Sequence, residues 1–345
     1  MISHDFVKCL EQSRYPHKVV AVGDDNAVQA KQFHENLSLD VEVQVYGNYN
    51  DFFKDPHIDI VYIGIVNFLH YKMAMMALDH DKHVLCEKPL GLNVKQVKEM
   101  VNKAKEKKLF LMEALVSIFC PAWREIRKQV DEKVLGELKT VHANAAVQTF
   151  GTNKARFRLN QGFTLLDTGA TPLMDFGLYT VLVSLWMFKG EKPAKIFVSG
   201  EKNEQGIDTW ANITLTFSDN RKAFCFYSIE DVVPFTAFVG CENGHFSVDK
   251  IFHRAYQFAR IEGNFRTPDP NKVVFDKLTE KESIFNSRYN FTGSSMLVFE
   301  ADNVYECLRD GKLESDVASH DFSIVFVEVL QEIRDKLGVI FPCDK

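Results

Sequence analysis

The residues that could do chemistry in this 345-residue chain stand at two places. Lys88 lies in Glu87-Lys88-Pro89, directly after the short apolar run His83-Val84-Leu85-Cys86. Asp175 and Tyr179 are four residues apart in a stretch with helical character, so a helix would place both on one face. A tyrosine can take a proton from an alcohol when nearby positive charge lowers its pKa from about 10. Lysine, phenol and carboxylate together are therefore suited to removing a hydride and a proton from an alcohol carbon.

Each of these residues also has a plainer interpretation. Taken alone, Lys88 is an exposed lysine before a turn, since the following proline restricts it to extended backbone. The pair Asp175 and Tyr179 equally suits an amphipathic helix whose tyrosine packs against the core. The surrounding elements have to decide between these interpretations.

Strands and helices alternate through the first third of the chain. The apolar pattern predicts strands over 18–23, 59–65, 83–86 and 109–112, and helices over 26–36, 69–79 and 93–107. Strands that are apolar throughout and separated by helices indicate a parallel sheet covered on both faces. Ligands of such sheets bind beyond the carboxyl ends of the strands, where Lys88 and the segment Asn67-Phe68-Leu69-His70 lie.

The pattern changes after about residue 118. Here the sequence predicts helices over 121–131, 171–188, 295–309 and 321–336, and strands over 138–149, 195–201, 209–217, 222–229 and 235–241. Consecutive strands of alternating character indicate an antiparallel sheet. We therefore predict an α/β chain with a Rossmann-like parallel domain at 1–118 and an α+β domain with an open, mostly antiparallel sheet at 119–345.

Composition narrows the class of protein. The net charge is −6 and no basic tract is present, which argues against a nucleic-acid partner. Seven scattered cysteines without a Cys-x-x-Cys pair predict reduced thiols in a cytoplasmic protein. We expect no membrane span, since no apolar run approaches about 20 residues, and no metal site, since the eleven histidines are dispersed.

Five segments, in order and spacing, carry a resemblance to a known family. They are Tyr62-Ile63-Gly64, Leu85-Cys86-Glu87-Lys88-Pro89, Leu109-Phe110-Leu111-Met112-Glu113-Ala114, Asp175-Phe176-Gly177-Leu178-Tyr179 and Gly338-Val339-Ile340-Phe341-Pro342. Together they resemble the glucose-fructose oxidoreductase/inositol dehydrogenase family, and within it the dimeric dihydrodiol and D-xylose dehydrogenase branch.

The resemblance implies a dehydrogenase that works as a homodimer joined through its antiparallel sheet. Hydride would pass between NADP and a hydroxyl-bearing carbon of a trans-dihydrodiol or of an aldose sugar such as D-xylose. Carried over from the family, Tyr179 would be the acid/base and Lys88 the cation that favours its phenolate. Asp175 would hold a substrate hydroxyl.

The resemblance also assigns residues to the cofactor. Asn67 and His70 would lie at the nicotinamide and its ribose, and Glu87 would position a ribose or Lys88. The plainer alternative is a helix-capping asparagine and a solvent-facing histidine. Asp25 stands where close relatives carry an arginine suited to the 2′-phosphate of NADP, and a carboxylate there suits the free ribose hydroxyls of NAD. The family relation favours NADP, whereas this position favours NAD.

Two departures from the family pattern affect function. The sequence has no Gly-x-Gly-x-x-Gly, and Met1–Phe6 resembles the segment just after those glycines, so we expect the first strand to be missing and the chain to begin inside the first helix. A truncated form would explain this, and so would a non-catalytic binding or regulatory protein that has lost its cofactor. Val116 and Ile118 replace a tryptophan and an arginine, so substrate identity is not carried over.

Overall fold

The computed structural model describes residues 1–147, 164–263, 271–276 and 288–345, which form two compact units. Unit 1 comprises Met1–Gly91, Lys95–Leu115 and the described part of Glu280–His320. Unit 2 comprises Leu92–Val94, the described part of Val116–Thr279, and Asp321–Lys345. The domain division predicted at residue 118 cuts the chain once, whereas here a segment close to the carboxyl terminus returns to unit 1.

The α-helices of the described residues share few features beyond their order along the chain. They are α1 (Ile2–Cys9), α2 (Ala27–Leu37), α3 (Tyr49–Lys54), α4 (Asn67–Asp79), α5 (Val94–Lys107), α6 (Val116–Phe119), α7 (Pro121–Asp131), α8 (Leu165–Thr168), α9 (Leu178–Met187), α10 (Leu297–Arg309) and α11 (His320–Leu337). A π-helical turn, Leu173–Gly177, directly precedes α9.

The parallel strands of unit 1 form two separate sheets in the described residues. One contains β1 (Ala21–Gly23) and β2 (Gln44–Tyr46); the other has the order β3 (Ile60–Ile63), β4 (His83–Glu87), β5 (Leu111–Ala114). β4 and β5 are buried at nearly every residue, as expected for strands covered on both faces. Because β4 is central, Lys88 emerges between the ends of its two neighbours.

Helix α1 covers the side of β3 that faces away from β4. The ring of Phe6 stacks on Tyr62 of β3 with centroids 3.8 Å apart, and Ser3 Oγ donates a 2.7 Å hydrogen bond to the carbonyl of Gly64. A side chain at Gly64 would collide with these groups, because its Cβ would lie 2.5 Å from Ser3 Oγ. A helix is thus packed at the edge of β3.

A buried carboxylate ties the returning segment to unit 1. Asp5 is fully buried and accepts hydrogen bonds from the backbone N–H of Asn290 (2.7 Å) and Phe291 (2.9 Å) and from Ser294 Oγ (2.6 Å). Burial by itself would raise the pKa of Asp5, but these donors together lower it. The segment is therefore held by an ionised carboxylate that no local sequence pattern reveals.

Unit 2 is built on an eight-stranded sheet. Its strands are β6 (Leu138–Ala146), β7 (Lys195–Lys202), β8 (Asp208–Thr216), β9 (Lys222–Ser228), β10 (Val233–Cys241), β11 (Gly244–Val248), β12 (Gln257–Glu262) and β13 (Asn271–Asp276). Their order is β13-β12-β11-β10-β6-β9-β8-β7, and only the β6–β9 pair is parallel among these strands.

The two faces of this sheet differ in burial. Residues alternate along the strands, so that Val141, Ala143 and Ala145 of β6 are buried while His142 is exposed. Helix α9, which is buried along almost its whole length, packs against β6 and β9 on the inner face. The outer face bears Phe197, Phe224 and Phe238, each at least 36% exposed.

The predicted fold class is confirmed: parallel strands precede a mostly antiparallel sheet. The predicted strand 138–149 ends at Ala146, and residues 148 and 149 lie outside the described part of the chain. The predicted helix 171–188 was wrong in detail, since a π-turn precedes α9. The stretch Leu165–Met187 is long and apolar enough for a membrane span by composition, but 83% of that window is buried within the protein.

Candidate active site

Lys88 follows β4, and its neighbours at the carboxyl edge of the sheet surround it. Lys88 is half-buried, and the preceding Glu87 is buried and accepts a 2.7 Å hydrogen bond from the hydroxyl of Tyr62. Burial and the adjacent Glu87 carboxylate raise the pKa of Tyr62 well above its usual range. Glu87 thus joins the ends of β3 and β4 beside the lysine.

The turn after Lys88 is held from both sides. The backbone N–H of Leu90 donates a 2.9 Å hydrogen bond to Glu113 Oε1 at the end of β5. On the other side, His70 Nδ1 lies 2.8 Å from the carbonyl of Pro89 and its Nε2 lies 3.1 Å from the carbonyl of Ile65. Glu113 and His70 therefore connect three strand ends around the lysine.

His70 has a different environment from the solvent-facing one that the sequence left open. It is fully buried, and burial, followed by the charge of Lys88, lowers its pKa. A neutral imidazole donates from one nitrogen, and the shorter contact assigns that donor to Nδ1. This placement gives His70 the role of holding two loops of the predicted cofactor site.

Asn67 and Asp25 occupy the two other predicted cofactor positions in unit 1. Asn67 is the first residue of α4 and is half-buried; the helix is preceded by Val66, so the asparagine is not the N-cap. Asp25 follows β1 and is exposed, with its Oδ1 3.4 Å from the backbone N–H of Tyr49. Burial, then Asp24 and Asp25, raise the pKa of Tyr49 to about 12. Asn67, His70, Glu87 and Lys88 share one sheet edge, while Asp25 belongs to the other sheet.

In unit 2, Asp175 and Tyr179 belong to different kinds of helical turn. Asp175 lies within the π-turn and is half-buried between buried neighbours, while Tyr179 is the second residue of α9 and is 7% exposed. The prediction that ordinary α-helical spacing relates them was wrong, because a π-turn closes i→i+5 hydrogen bonds. Such turns frequently occur at functional sites.

An imidazole that the sequence did not single out stands next to Tyr179. The ring of His253 lies 4.8 Å from that of Tyr179 at an interplanar angle of 32°, and the carbonyl of His253 accepts a 2.7 Å hydrogen bond from Ser117 Oγ. Trp123, fully buried, donates a 2.6 Å hydrogen bond to the carbonyl of Phe252. The preceding Ile251 has φ 47°, a strained value for a β-branched residue. No periodic signal marks His253, since only tertiary packing brings it to Tyr179.

Comparisons with known proteins place these residues in a family. Residues 1–115 match the profile described as "Oxidoreductase family, NAD-binding Rossmann fold", and residues 123–247 match the GFO/IDH/MocA C-terminal domain. The trans-1,2-dihydrobenzene-1,2-diol dehydrogenase of Danio rerio is 30% identical over 99% of this chain and 96% of its own length. The chain belongs to the GFO/IDH/MocA oxidoreductase family.

Solved structures of other oxidoreductases share this fold. The 3-ketoreductase KijD10 of Actinomadura kijaniata, in complex with NADP and TDP-benzene, has a TM-score of 0.75 at 19% identity and covers 95% of this chain and 92% of its own. An oxidoreductase of Agrobacterium radiobacter, in complex with NAD+, L-tartaric acid and magnesium, has a TM-score of 0.78 at 13% identity, covering 98% and 93%. At these identities the likeness concerns the fold.

The residues of unit 1 fit the nicotinamide dinucleotide of a GFO/IDH/MocA oxidoreductase. Lys88 and Asn67 are polar, half-buried and at the carboxyl edge where such sheets bind ligands. The first turn of α1 packs on Gly64 at that edge, so the positive end of this helix is directed where a pyrophosphate is favoured. Which of NAD or NADP fits better depends on Asp25.

Proposed function

We propose that this chain transfers a hydride between NAD(P) and a hydroxyl-bearing carbon, acting on a trans-dihydrodiol or an aldose sugar such as D-xylose. The observation that carries the proposal is the π-turn followed by α9, which presents a half-buried carboxylate and a phenol in consecutive turns of a family oxidoreductase. The name of the Danio rerio relative supports the dihydrodiol as the first substrate to test.

The chain's own residues would handle the proton and the substrate hydroxyls. Tyr179, as phenolate, accepts the hydroxyl proton of the alcohol while the carbonyl forms, and returns it in the reverse direction. Lys88 supplies the positive charge that favours the phenolate and orients the substrate oxygen. Asp175 accepts a hydrogen bond from a neighbouring substrate hydroxyl. The bound nicotinamide supplies the hydride chemistry.

Titration and turnover of the purified chain test this function. NADH and NADPH are titrated by fluorescence, and turnover is assayed with a trans-dihydrodiol and with D-xylose. We expect Tyr179→Phe to reduce kcat on the order of 10²- to 10⁴-fold while leaving cofactor affinity nearly unchanged. Tyr71→Phe is the matched control, since Tyr71 only donates to Glu99 in unit 1. Unchanged turnover in Tyr179→Phe would remove the tyrosine from this role.

A second candidate function is a non-catalytic binding or regulatory protein. The separation of β1 and β3 into two sheets favours it, because dinucleotide sites of this type normally lie on one continuous sheet. Binding of neither NADH nor NADPH in the titration would support this candidate and reject the dehydrogenase. Cofactor binding with turnover would reject the second candidate.

The coenzyme preference has a separate test at Asp25. The family resemblance favours NADP, while the exposed carboxylate of Asp25 repels a 2′-phosphate and accepts hydrogen bonds from ribose hydroxyls. Asp25→Arg should shift the kcat/KM ratio toward NADP by about tenfold or more, since a charge reversal alters a direct ion pair. An unchanged ratio would place the adenosine ribose elsewhere.

We further propose a homodimer formed through the outer face of the eight-stranded sheet. A concavity of about 430 Å³ lies on that face, lined by His142, Asn144, Asn212, Ile213, Thr214, Phe224, Cys225, Phe226 and Phe238. Exposed aromatic side chains grouped on one face are typical of protein interfaces. A monomeric mass in sedimentation equilibrium would contradict the dimer.

The proposed compartment is the cytoplasm. All seven cysteines are free thiols, which is typical of a reducing environment. Imaging of a fluorescently tagged chain tests this, and an exclusively organellar signal would contradict it.

A further inference from the structure

We propose that Asp208 and Tyr227 are positioning residues for the substrate site: they hold the π-turn and thereby set the position of Asp175. The inference rests on the proposed function. Neither residue belongs to a family motif recognised in the sequence, and both lie inside unit 2.

Asp208, Tyr227 and Thr171 form a buried hydrogen-bonded cluster next to the π-turn. Asp208 opens β8 and is fully buried, and its Oδ2 accepts a 2.7 Å hydrogen bond from the backbone N–H of Leu173, the first residue of the turn. The hydroxyls of Tyr227 and Thr171 donate to the same carboxyl. Outside this cluster, Asp208 Oδ1 and these two hydroxyls have no hydrogen-bond partner in the described residues.

The cluster contacts both ends of the turn. At its start, the carbonyl of Thr171 accepts a 2.8 Å hydrogen bond from the backbone N–H of Asp175. At its end, Gly177 lies so close to the ring of Tyr227 that an added Cβ would be 2.8 Å from the ring. The ring of Phe176 meets that of Tyr227 edge-on at 6.3 Å. Asp175 is therefore held between two points fixed by strands β8 and β9.

This arrangement is costly as mere core packing. A buried carboxyl with only neutral donors would be replaced by apolar side chains at little cost or with a gain in stability. Burial raises the pKa of Asp208, which agrees with the lack of a compensating cation in the cluster. Polar clusters of this kind that fix irregular backbone are expected where geometry matters for function.

Two isosteric variants and one matched control test the proposal by kinetics. Asp208→Asn and Tyr227→Phe should raise KM for the substrate on the order of 10- to 100-fold, because small displacements of a binding group have effects of this size. The cofactor dissociation constant should stay within about twofold. Asp167→Asn is the control, since Asp167 also caps a short helix of unit 2, α8, by accepting from the backbone of Thr164. A purely structural role would lower the active fraction and spare KM.

A double-mutant cycle with Asp175→Asn decides whether the two residues act through Asp175. We expect Asp208→Asn to change KM less than about twofold in the Asp175→Asn background, because its path of action is already removed. Full additivity would overturn the proposal. If Asp208→Asn does not fold, the Tyr227→Phe cycle gives the same test.

Hydrogen exchange provides a readout independent of turnover. Peptides covering residues 171–179 should exchange faster in Asp208→Asn than in the wild-type chain, with other segments unchanged. Unchanged exchange in this segment would overturn the positioning role. Faster local exchange in a wild-type chain that shows no turnover would instead separate failure of the proposed function from failure of this inference.

Discussion

The sheets of the two units differ in what they leave open to solvent. In unit 1, β4 and β5 are buried on both faces, so polar side chains reach a ligand only at the strand ends, as Lys88 does. In unit 2, strands alternate and one face carries exposed aromatic rings such as Phe224. The first kind of sheet is suited to a site at its edge, and the second can offer a whole face to another copy.

Each unit also contains a fully buried aspartate, and the two titrate in opposite directions. Asp5 accepts two backbone N–H groups and one hydroxyl, and its pKa is lowered. Asp208 accepts one backbone N–H and two hydroxyls, and burial raises its pKa. Burial is similar, so the number and strength of the donors decides which carboxyl is ionised.

The largest effect is expected from combining one residue of each unit. Lys88→Met and Tyr179→Phe should each lower kcat/KM on the order of 10²- to 10⁴-fold, because each removes part of one acid/base system. The double variant should be about as slow as the slower single variant, since groups acting as a unit are non-additive. Steady-state kinetics measures this, with Lys72→Met on the exposed side of α4 as control. Additive losses would mean that Lys88 and Tyr179 act on different steps.

A charge on the outer sheet face should disrupt the proposed dimer. Phe224→Asp places a carboxylate among Phe238 and His142, and we expect the dimer dissociation constant to rise at least about tenfold. Sedimentation velocity across a concentration series measures this. Val232→Asp is the control, because Val232 is 78% exposed and lies between strands β9 and β10. An equal effect of both changes would reject this face as the interface.

Removal of the buried carboxylate in unit 1 should have a moderate effect on stability. Asp5→Asn should lower the free energy of unfolding by about 1–3 kcal/mol at neutral pH, because the donors of the returning segment lose a charged acceptor. The folded pKa lies below the ordinary value of 3.8, so this stabilisation is present above pH 3.8 and is lost as the pH falls through the folded pKa. Urea unfolding at several pH values measures the difference, and a constant difference down to strongly acidic pH would contradict the assignment.

The corresponding effect in unit 2 should have the opposite sign. The folded pKa of Asp208 is raised, so its contribution is most favourable below 3.8 and is lost as the pH rises through the folded pKa. We expect the stability of the wild-type chain to fall relative to Asp208→Asn over this window. The same unfolding series measures it, and a relative gain of the wild-type chain with rising pH would show that Asp208 is ionised in the folded state.

Local patterns predicted the elements that have strong periodicity. The strand ending at Glu87, the helix α5 and the consecutive strands of unit 2 follow from apolar runs and alternation. β2 and α3 were missed, because β2 has three residues and Val45 within it is 40% exposed, so neither burial nor length marks it. The π-turn was read as plain α-helix, since its width depends on packing against Tyr227.

The amino-acid sequence by itself determined the order of strands and helices, the family, and the candidate residues Lys88, Asp175 and Tyr179, because these depend on residue types and spacing. Only the tertiary structure decided that His70 is buried between two loops, that His253 stands beside Tyr179, and that Asp5 and Asp208 hold distant segments. Such contacts join residues far apart in the chain. Their strength comes from burial and hydrogen bonding, which no local pattern records.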